Sequence, residues 1–435
     1  MDLLSLGLLV AVYAAVIVRQ LTARGPSVWL SFAIGGFATV AVGILPLSGA
    51  EGAIAEAAPV LVFLFALFLF AADLERAGAI DHVARWLVGR AGRAETLPFY
   101  LFVGFGLLSA FLVNDALALL GVPLLLVIAR RLEMDAKPLL LTLAYAVTVG
   151  SVLTPMGNPQ NLLVSLSSGV AAPVAVFLRY LLVPTLVNLA LGGWYLTRVF
   201  GPRLAPHARA FTELRSQAPR LFPEGGWRRR LIEYPSLWLF PVTMTVIVTV
   251  SVTSVLVGGP SVPVEAMAFG GAVVLLAASP QRSAVLARVD WSILLLFAGL
   301  FVVVNGAIAG GVLGALEGLY PIPGPGAGGI GLLAITGTSL GGPQLVSNVP
   351  WVALQIPVLH ALGYTGATPV AWVALAAAST LAGNLTLLGA ASNLIIVERA
   401  ERDRLRIGLG EFVRHGLPLT AITVSVLVGL LWIGL

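Results

Sequence analysis

Apolar runs of roughly 15–25 residues recur from one end of the chain to the other, separated by short stretches rich in arginine, glycine and proline. A helix that crosses a membrane needs about 20 predominantly apolar residues, fewer where a break or neighbouring protein shortens it. The pattern predicts spans over about 3–18, 28–46, 59–72, 138–153, 173–198, 236–257, 262–279, 291–313, 369–383 and 411–435. Two further apolar stretches, 97–129 and 329–362, are too long for one ordinary helix, and polar residues interrupt them midway, at Asn114-Asp115 and around Ser347-Asn348. These are predicted to be re-entrant hairpins that enter and leave the membrane on one side.

Composition agrees with a polytopic membrane protein. Of 435 residues, 58% are hydrophobic and 10% charged, against about 25% charged in an ordinary soluble domain. That excludes a soluble enzyme, a nucleic-acid binder and a disordered chain. Cysteine is absent and the four histidines are scattered, so neither a disulfide nor a His/Cys metal cluster can be built. The first apolar run, Leu3 to Val18, has no basic segment before it and is expected to remain as a helix.

The basic residues test the topology. If both hairpins fold back, the ten spans alternate with both termini outside, and 24 of the 25 Lys and Arg residues, all but Arg179, fall on the cytoplasmic side. The outer loops, near 47–58, 258–261, 314–328 and 363–368, then carry none. If 97–129 crossed once, Arg130, Arg131 and Lys137 would move outside and the bias would collapse. The expectation is a multi-pass protein of the cytoplasmic membrane.

The chain also repeats itself. Spans starting at 3, 28 and 59 correspond to spans starting at 236, 262 and 291, offsets of 233, 234 and 232. Thr154-Pro-Met-Gly157-Asn-Pro-Gln160-Asn161 aligns without gaps on Thr386-Leu-Leu-Gly389-Ala-Ala-Ser392-Asn393, and Asp115 pairs with Asn348 at an offset of 233. Residues 1–198 and 236–435 are therefore expected to be two repeats of inverted topology, joined by an Arg- and Pro-rich cytoplasmic linker, 199–235. Each repeat would hold a hairpin and a broken helix, about 138–168 and 369–398. Inverted repeats with discontinuous helices are the architecture of secondary transporters.

Non-helical backbone at membrane depth survives only where protein or a wet cavity satisfies it. Four polar breaks in symmetric register point to a site near the midplane. Its candidate residues are Asn114, Asp115, Thr154, Gly157, Asn158, Gln160, Asn161, Ser347, Asn348, Asn384, Thr386, Gly389, Ser392 and Asn393. Freed carbonyls with Asn and Thr side chains suit a small cation, and half-helix N-termini suit an anion. Asp115 is the one acid deep in an apolar segment. A carboxylate there must be paired, protonated or bound to a cation, so proton and sodium can compete for it; the simpler role is to cap the half-helix beginning near Ala116. Asn114, Asp115, Thr154 and Asn158 are the candidate sodium ligands. With Asn348 in place of the second acid, the site has one titratable and one neutral pole, which suits a substrate of low charge or a cation–anion pair. Elsewhere, Arg179 reads as snorkelling to the interface and Asn305 as a cavity-lining or interhelical group. His360 belongs at the outer edge of its hairpin, Asp73, Glu75, Arg76, Asp81, His82 and Arg85 form a solvated amphipathic helix, and Gly-rich 310–331 forms a flexible outer loop.

Leu112-Val-Asn114-Asp115-Ala with Pro123, the Thr154–Asn161 run, and Gly383-Asn-Leu-Thr-Leu-Leu-Gly-Ala-Ala-Ser-Asn393 together resemble the ion transporter superfamily. The nearest branch is the arsenite permease and NhaD-type sodium–proton antiporter family, including anion permeases of the citrate-transporter-like group. The resemblance implies a homodimer in which a mobile transport domain holding both hairpins moves past a scaffold in an elevator-like step. It also implies that Asn114, Asp115 and the Thr/Asn breaks bind the coupling ion and the substrate. The dicarboxylate branch carries Ser-Asn-Thr at both tips; here they read Val-Asn-Asp and Ser-Asn-Val, which points away from dicarboxylates. The expected function is secondary active transport of a small anion or oxyanion-like solute, coupled to H+ or Na+. The alternatives are a sodium–proton antiporter at Asp115 and, further off, a passive channel. No cofactor is expected, an intramembrane enzyme lacks a catalytic pair, and without a nucleotide-binding motif any ATP dependence would need a separate ATPase subunit.

Overall fold

A computed structural model describes residues 2–22, 25–217, 227–258, 262–312 and 321–434, and the described elements are all helical. The first repeat consists of α1 (Leu3–Thr22), α2 (Val28–Ala41), α3 (Leu47–Arg76) and the short amphipathic α4 (Ala79–Arg90). A hairpin follows, with legs α5 (Leu97–Ser109) and α6 (Asn114–Arg131), then a broken helix with halves α7 (Lys137–Ser151) and α8 (Pro159–Ser167), and the long α9 (Pro173–Leu204). The linker contributes α10 (Ala208–Ser216) and α11 (Trp227–Glu233). The second repeat runs α12 (Ser236–Val257), α13 (Val264–Ala278), α14 (Arg282–Leu286) and α15 (Trp291–Ala309). Its hairpin has legs α16 (Gly329–Gly341) and α18 (Asn348–Ala361), with one turn, α17 (Pro343–Val346), between them. Its broken helix has halves α19 (Pro369–Leu381) and α20 (Ala391–Arg402), and α21 (Leu409–Ile433) closes the chain.

The repeats interlock. α2 lies along α15 and α13 along α3, the same pairing made twice. Small residues let these helices approach closely: a Cβ on Gly36 would lie 3.1 Å from Gly299 Cα, as in helix pairs that associate without a hydrophobic drive. These helices, with α1 and α12, form one body. The hairpins, both broken helices, α9 and α21 pack around one another as a second, where α5 and α7 touch through the backbones of Gly106 and Gly150.

Five described helices are long and apolar enough to cross a membrane: α3, α9 with its continuation, α12, α15 and α21. The shorter apolar helices include α1, α2 and α13. Boundaries differ from expectation in three places. The supposed outer loop 47–58 is the first part of α3, where Ala50 and Ala53 favour helix and bury against Leu45 and Val302. α2 stops at Ala41, followed by a turn with Gly43 at φ +77°. α9 runs on to Leu204, so the linker begins later than 199. Parts of the expected linker (218–226) and of the outer loops (259–261 and 313–320) lie outside the described residues.

One electrostatic expectation is overturned. Asp73 belongs to α3 and is fully buried, with 0% exposure. Its carboxylate meets Arg76 Nη1 at 3.4 Å and accepts the Ser236 N–H, at the start of α12, at 3.1 Å. An anion at a helix N-terminus beside a guanidinium is satisfied without water, which is why it can leave the surface. Arg76 also reaches Gln281 and lies 5.8 Å over the Tyr234 ring, and Glu75 pairs with Arg288 at 2.8 Å. The arginine-rich ends of both repeats are thereby tied together. Asp73→Ala, which strands Arg76 and the Ser236 N–H, is expected to cost about 3 kcal/mol and Asp73→Asn less; thermal unfolding of the detergent-solubilised protein measures both.

Candidate functional site

The hairpin tips are built alike. α6 begins at Asn114, whose Oδ1 accepts the Asp115 N–H at 3.0 Å, and α18 begins at Asn348, whose Oδ1 accepts the Val349 N–H at 3.0 Å. Each helix carries a proline further along, Pro123 and Pro357. This geometry makes Asn114 the counterpart of Asn348, so the sequence pairing of Asp115 with Asn348 is one residue out of register. The position equivalent to Asp115 is Val349. Asp115 lies inside the first turn of α6 and makes no capping bond, so the capping role does not apply. It is 9% exposed, near the positive end of the helix dipole. Ser347 at the second tip has φ +69°, ψ 163°, a conformation that costs a non-glycine residue about 1–3 kcal/mol.

Each break is closed by an asparagine amide. Asn161 Nδ2 donates to the carbonyls of Ser151 (3.0 Å) and Thr154 (3.2 Å). Asn393 Nδ2 donates to those of Gly383 (2.6 Å) and Thr386 (3.4 Å). The glycines are explained by crowding: a Cβ on Gly157 would collide with the Ser151 backbone, and one on Gly389 would sit 2.7 Å from the Ala382 carbonyl oxygen.

The first break is densely bonded. Asn158 Oδ1 accepts the Asn161 N–H at 2.8 Å and so caps α8, while its Nδ2 donates to Ser151 Oγ (3.0 Å) and Thr380 Oγ1 (3.2 Å). Gln160 Nε2 donates to the same Thr380 oxygen at 3.1 Å, and the single Thr380 proton is shared between Asn161 Oδ1 (3.0 Å) and Ala376 O (2.8 Å). Thr154 Oγ1 bonds the Ala110 carbonyl, at the end of the first hairpin's entering leg. The second break is looser. Thr386 Oγ1 donates to Gln344 Oε1 at 2.7 Å, and Gln344 Nε2 holds the carbonyl oxygen of Ala382 at 2.8 Å.

The halves then cross over: α6 packs on α20, and α18 on α8. Asn114 Nδ2 reaches Ser392 Oγ at 3.5 Å, bringing the first tip to the second break. Of the supposed sodium ligands, Asn114 and Asp115 share that place, whereas Thr154 and Asn158 are engaged in closing the first break. Ser151, Thr380 and Gln344 escaped the sequence analysis because hydroxyls and amides inside or beside apolar helices carry no spacing signal. Among the bland assignments, Arg179 lies 5.4 Å over the Tyr180 ring. Asn305 donates to Glu56 at 3.3 Å and, with Glu56 and His360, borders a cleft of about 380 Å³ between the two bodies. The tips and breaks, 109–116, 148–161, 343–349 and 380–393, contain no Arg, Lys or His.

A model of the citrate transporter family matches residues 13–382. A 46 kDa membrane protein of Mycobacterium leprae is 27% identical over 382 residues, covering 86% of each chain. A silicon efflux transporter of rice is 27% identical over 415 residues, covering 85% of each. The crystal structure of the YdaH transporter of Alcanivorax borkumensis, described as having an unusual topology, matches with a TM-score of 0.56 at 17% identity, over 90% of this chain and 89% of that one. At that identity it shows a common fold.

Thr380 is the hub of the first break. Thr380→Val strips partners from two amides and the Asn161 oxygen and is expected to cost about 3 kcal/mol, with Thr380→Ser retaining most of the stability; melting temperatures in detergent separate the two.

Proposed function

We propose a cargo class and a coupling scheme for a chain that belongs to the citrate transporter family and is therefore a membrane transporter, not an enzyme. On this reading it is a secondary active carrier that moves a small anion or oxyanion-like solute, driven by H+ or Na+. The observation that carries the reading is the contact of Asn114 with Ser392. It sets the hairpin tip of one repeat, with its acid Asp115, against the broken helix of the other.

The chemistry of that place constrains the cargo. Amides, hydroxyls and a half-helix N-terminus can hold hydroxylated solutes, but without a basic side chain nothing offsets several negative charges. A cargo of low charge, or one entering with a cation at Asp115, fits best. The silicon efflux named for the rice relative supports a hydroxylated solute over a free polycarboxylate. Packing into two bodies with an open cleft between them supports an elevator-like movement. Positive-inside charge bias supports placement in the cytoplasmic membrane with the arginine-rich side inward and both termini outside.

The second reading, sodium–proton exchange, is favoured by the same isolated acid. Liposomes containing a pH-sensitive dye and the reconstituted protein decide between them. Sodium added alone drives proton movement only in the antiporter. Under the preferred reading, a proton or sodium gradient drives uphill uptake of one solute from a panel of arsenite, silicic acid, phosphate and citrate. Asp115→Asn is expected to reduce the gradient-driven component to background. Gradient-driven uptake at the wild-type rate in that variant would remove Asp115 from the coupling site.

A further inference from the structure

We propose that the two breaks have diverged in role: cargo is held at the second break alone, against the first hairpin tip, and the first break is a dry structural joint. This deepens the transporter reading above and rests on it. Inverted repeats invite the simpler picture of two equivalent half-sites, and four differences argue against it.

The first is the helix cap. Asn158 caps α8 through its own side chain, whereas Ala390, the residue aligned with it, leaves α20 without a side-chain cap. The positive end of α20 is thus available to a ligand. The second is polar satisfaction. Asn384 is fully buried, yet neither its Oδ1 nor its Nδ2 has a hydrogen-bond partner, and the buried Asn393 Oδ1 also lacks one. In the first break Asn161 Oδ1, the counterpart of Asn393 Oδ1, receives the Thr380 hydroxyl. Thr148, aligned with Thr380, instead donates to Ala144 O within its own helix. A buried polar group without a partner is costly, and a wholly unpartnered Asn384 amide with the free Asn393 oxygen, beside an uncapped helix, marks a place shaped for a polar guest. Asn384 stands where the first repeat has Val152, so this polarity was not inherited from the symmetry.

The third difference is access. Thr154 and Pro159 are buried, while the matching Thr386 is half-buried and Ala391 exposed. The fourth is the acid: Asn114, next to Asp115, reaches toward Ser392, and no acid stands at the second tip. The guest class follows from the groups left over. One amide supplies a donor and an acceptor, the second an acceptor, and Ser392 a hydroxyl, a set that matches an uncharged or singly charged solute bearing several O–H groups.

The chain contains no cysteine, so single-cysteine variants can be read without background. Thr386→Cys, Ala391→Cys, Thr154→Cys and Pro159→Cys are purified in detergent, checked for a monodisperse elution profile, and treated with a small water-soluble methanethiosulfonate reagent. The second-break pair is expected to react at least about tenfold faster than the first-break pair. Equal rates, or faster reaction at the first break, overturn the proposal. Ala390→Asn, which adds the missing cap, keeps the test independent of any first-break variant that fails to fold. It is expected to slow labelling of Ala391→Cys in the double variant; an unchanged rate also counts against the proposal. Because labelling needs no transported solute, it can fail while transport is demonstrated, and the transport panel can fail while labelling remains asymmetric.

Discussion

A polar backbone group opened inside a low-dielectric slab has to find its partner within the chain, and two side-chain amides meet that demand here. Asn161 and Asn393 each fold back across an interrupted helix and take up the carbonyls that the interruption frees. Without them neither Thr154–Asn158 nor Thr386–Ala390 could leave helical geometry at that depth. The glycines at 157 and 389 follow from the same folding-back, since the returning strand of backbone leaves no space for a Cβ. Everything that makes the molecule a candidate carrier depends on this: only a broken helix can offer side chains, carbonyls and a helix end at one point.

Inversion of the repeats turns two such breaks into one centre. The second leg of each hairpin packs on the half-helix beyond the other repeat's break, so no half of the chain can assemble the centre alone. The same exchange of partners holds the body of α1–α3, α12, α13 and α15 together, through the α2–α15 and α13–α3 pairs and through the buried Asp73, which caps the first helix of the second repeat. Symmetry supplies the frame. Departures from it, such as Asp115 against Val349 and Asn158 against Ala390, supply the chemistry.

Much of this was legible in the residues. Apolar runs separated by arginines gave the hairpins, because the alternative topology scattered Arg130, Arg131 and Lys137 to the wrong side. The gapless match of 154–161 on 386–393 gave the breaks. What escaped detection did so for physical reasons. The one-residue shift that equates Asn114 with Asn348 is set by how each α6-type helix starts, which a constant offset cannot register. Asp73 looked solvated because it closes a charged cluster, and only the approach of α12, distant in sequence, buries it. The stretch 47–58 looked like a loop because Glu51, Glu56 and two glycines dilute its apolar character, while its alanines pack well enough to hold a helix.

That long α3 also bears on the surrounding lipid. At about 1.5 Å per residue, its 30 residues reach about 45 Å, but the uninterrupted apolar stretch from Ala57 to Ala72 accounts for only about 24 Å of it. The hydrocarbon layer of a typical bilayer is about 30 Å thick. The apolar part of α3 alone is therefore shorter than that layer, and the helix continues beyond it in a segment carrying Glu51 and Glu56. Most of that apolar stretch is packed inside the protein, so the lipid instead meets helices such as α12, whose 22 residues reach about 33 Å and match the layer without thinning it.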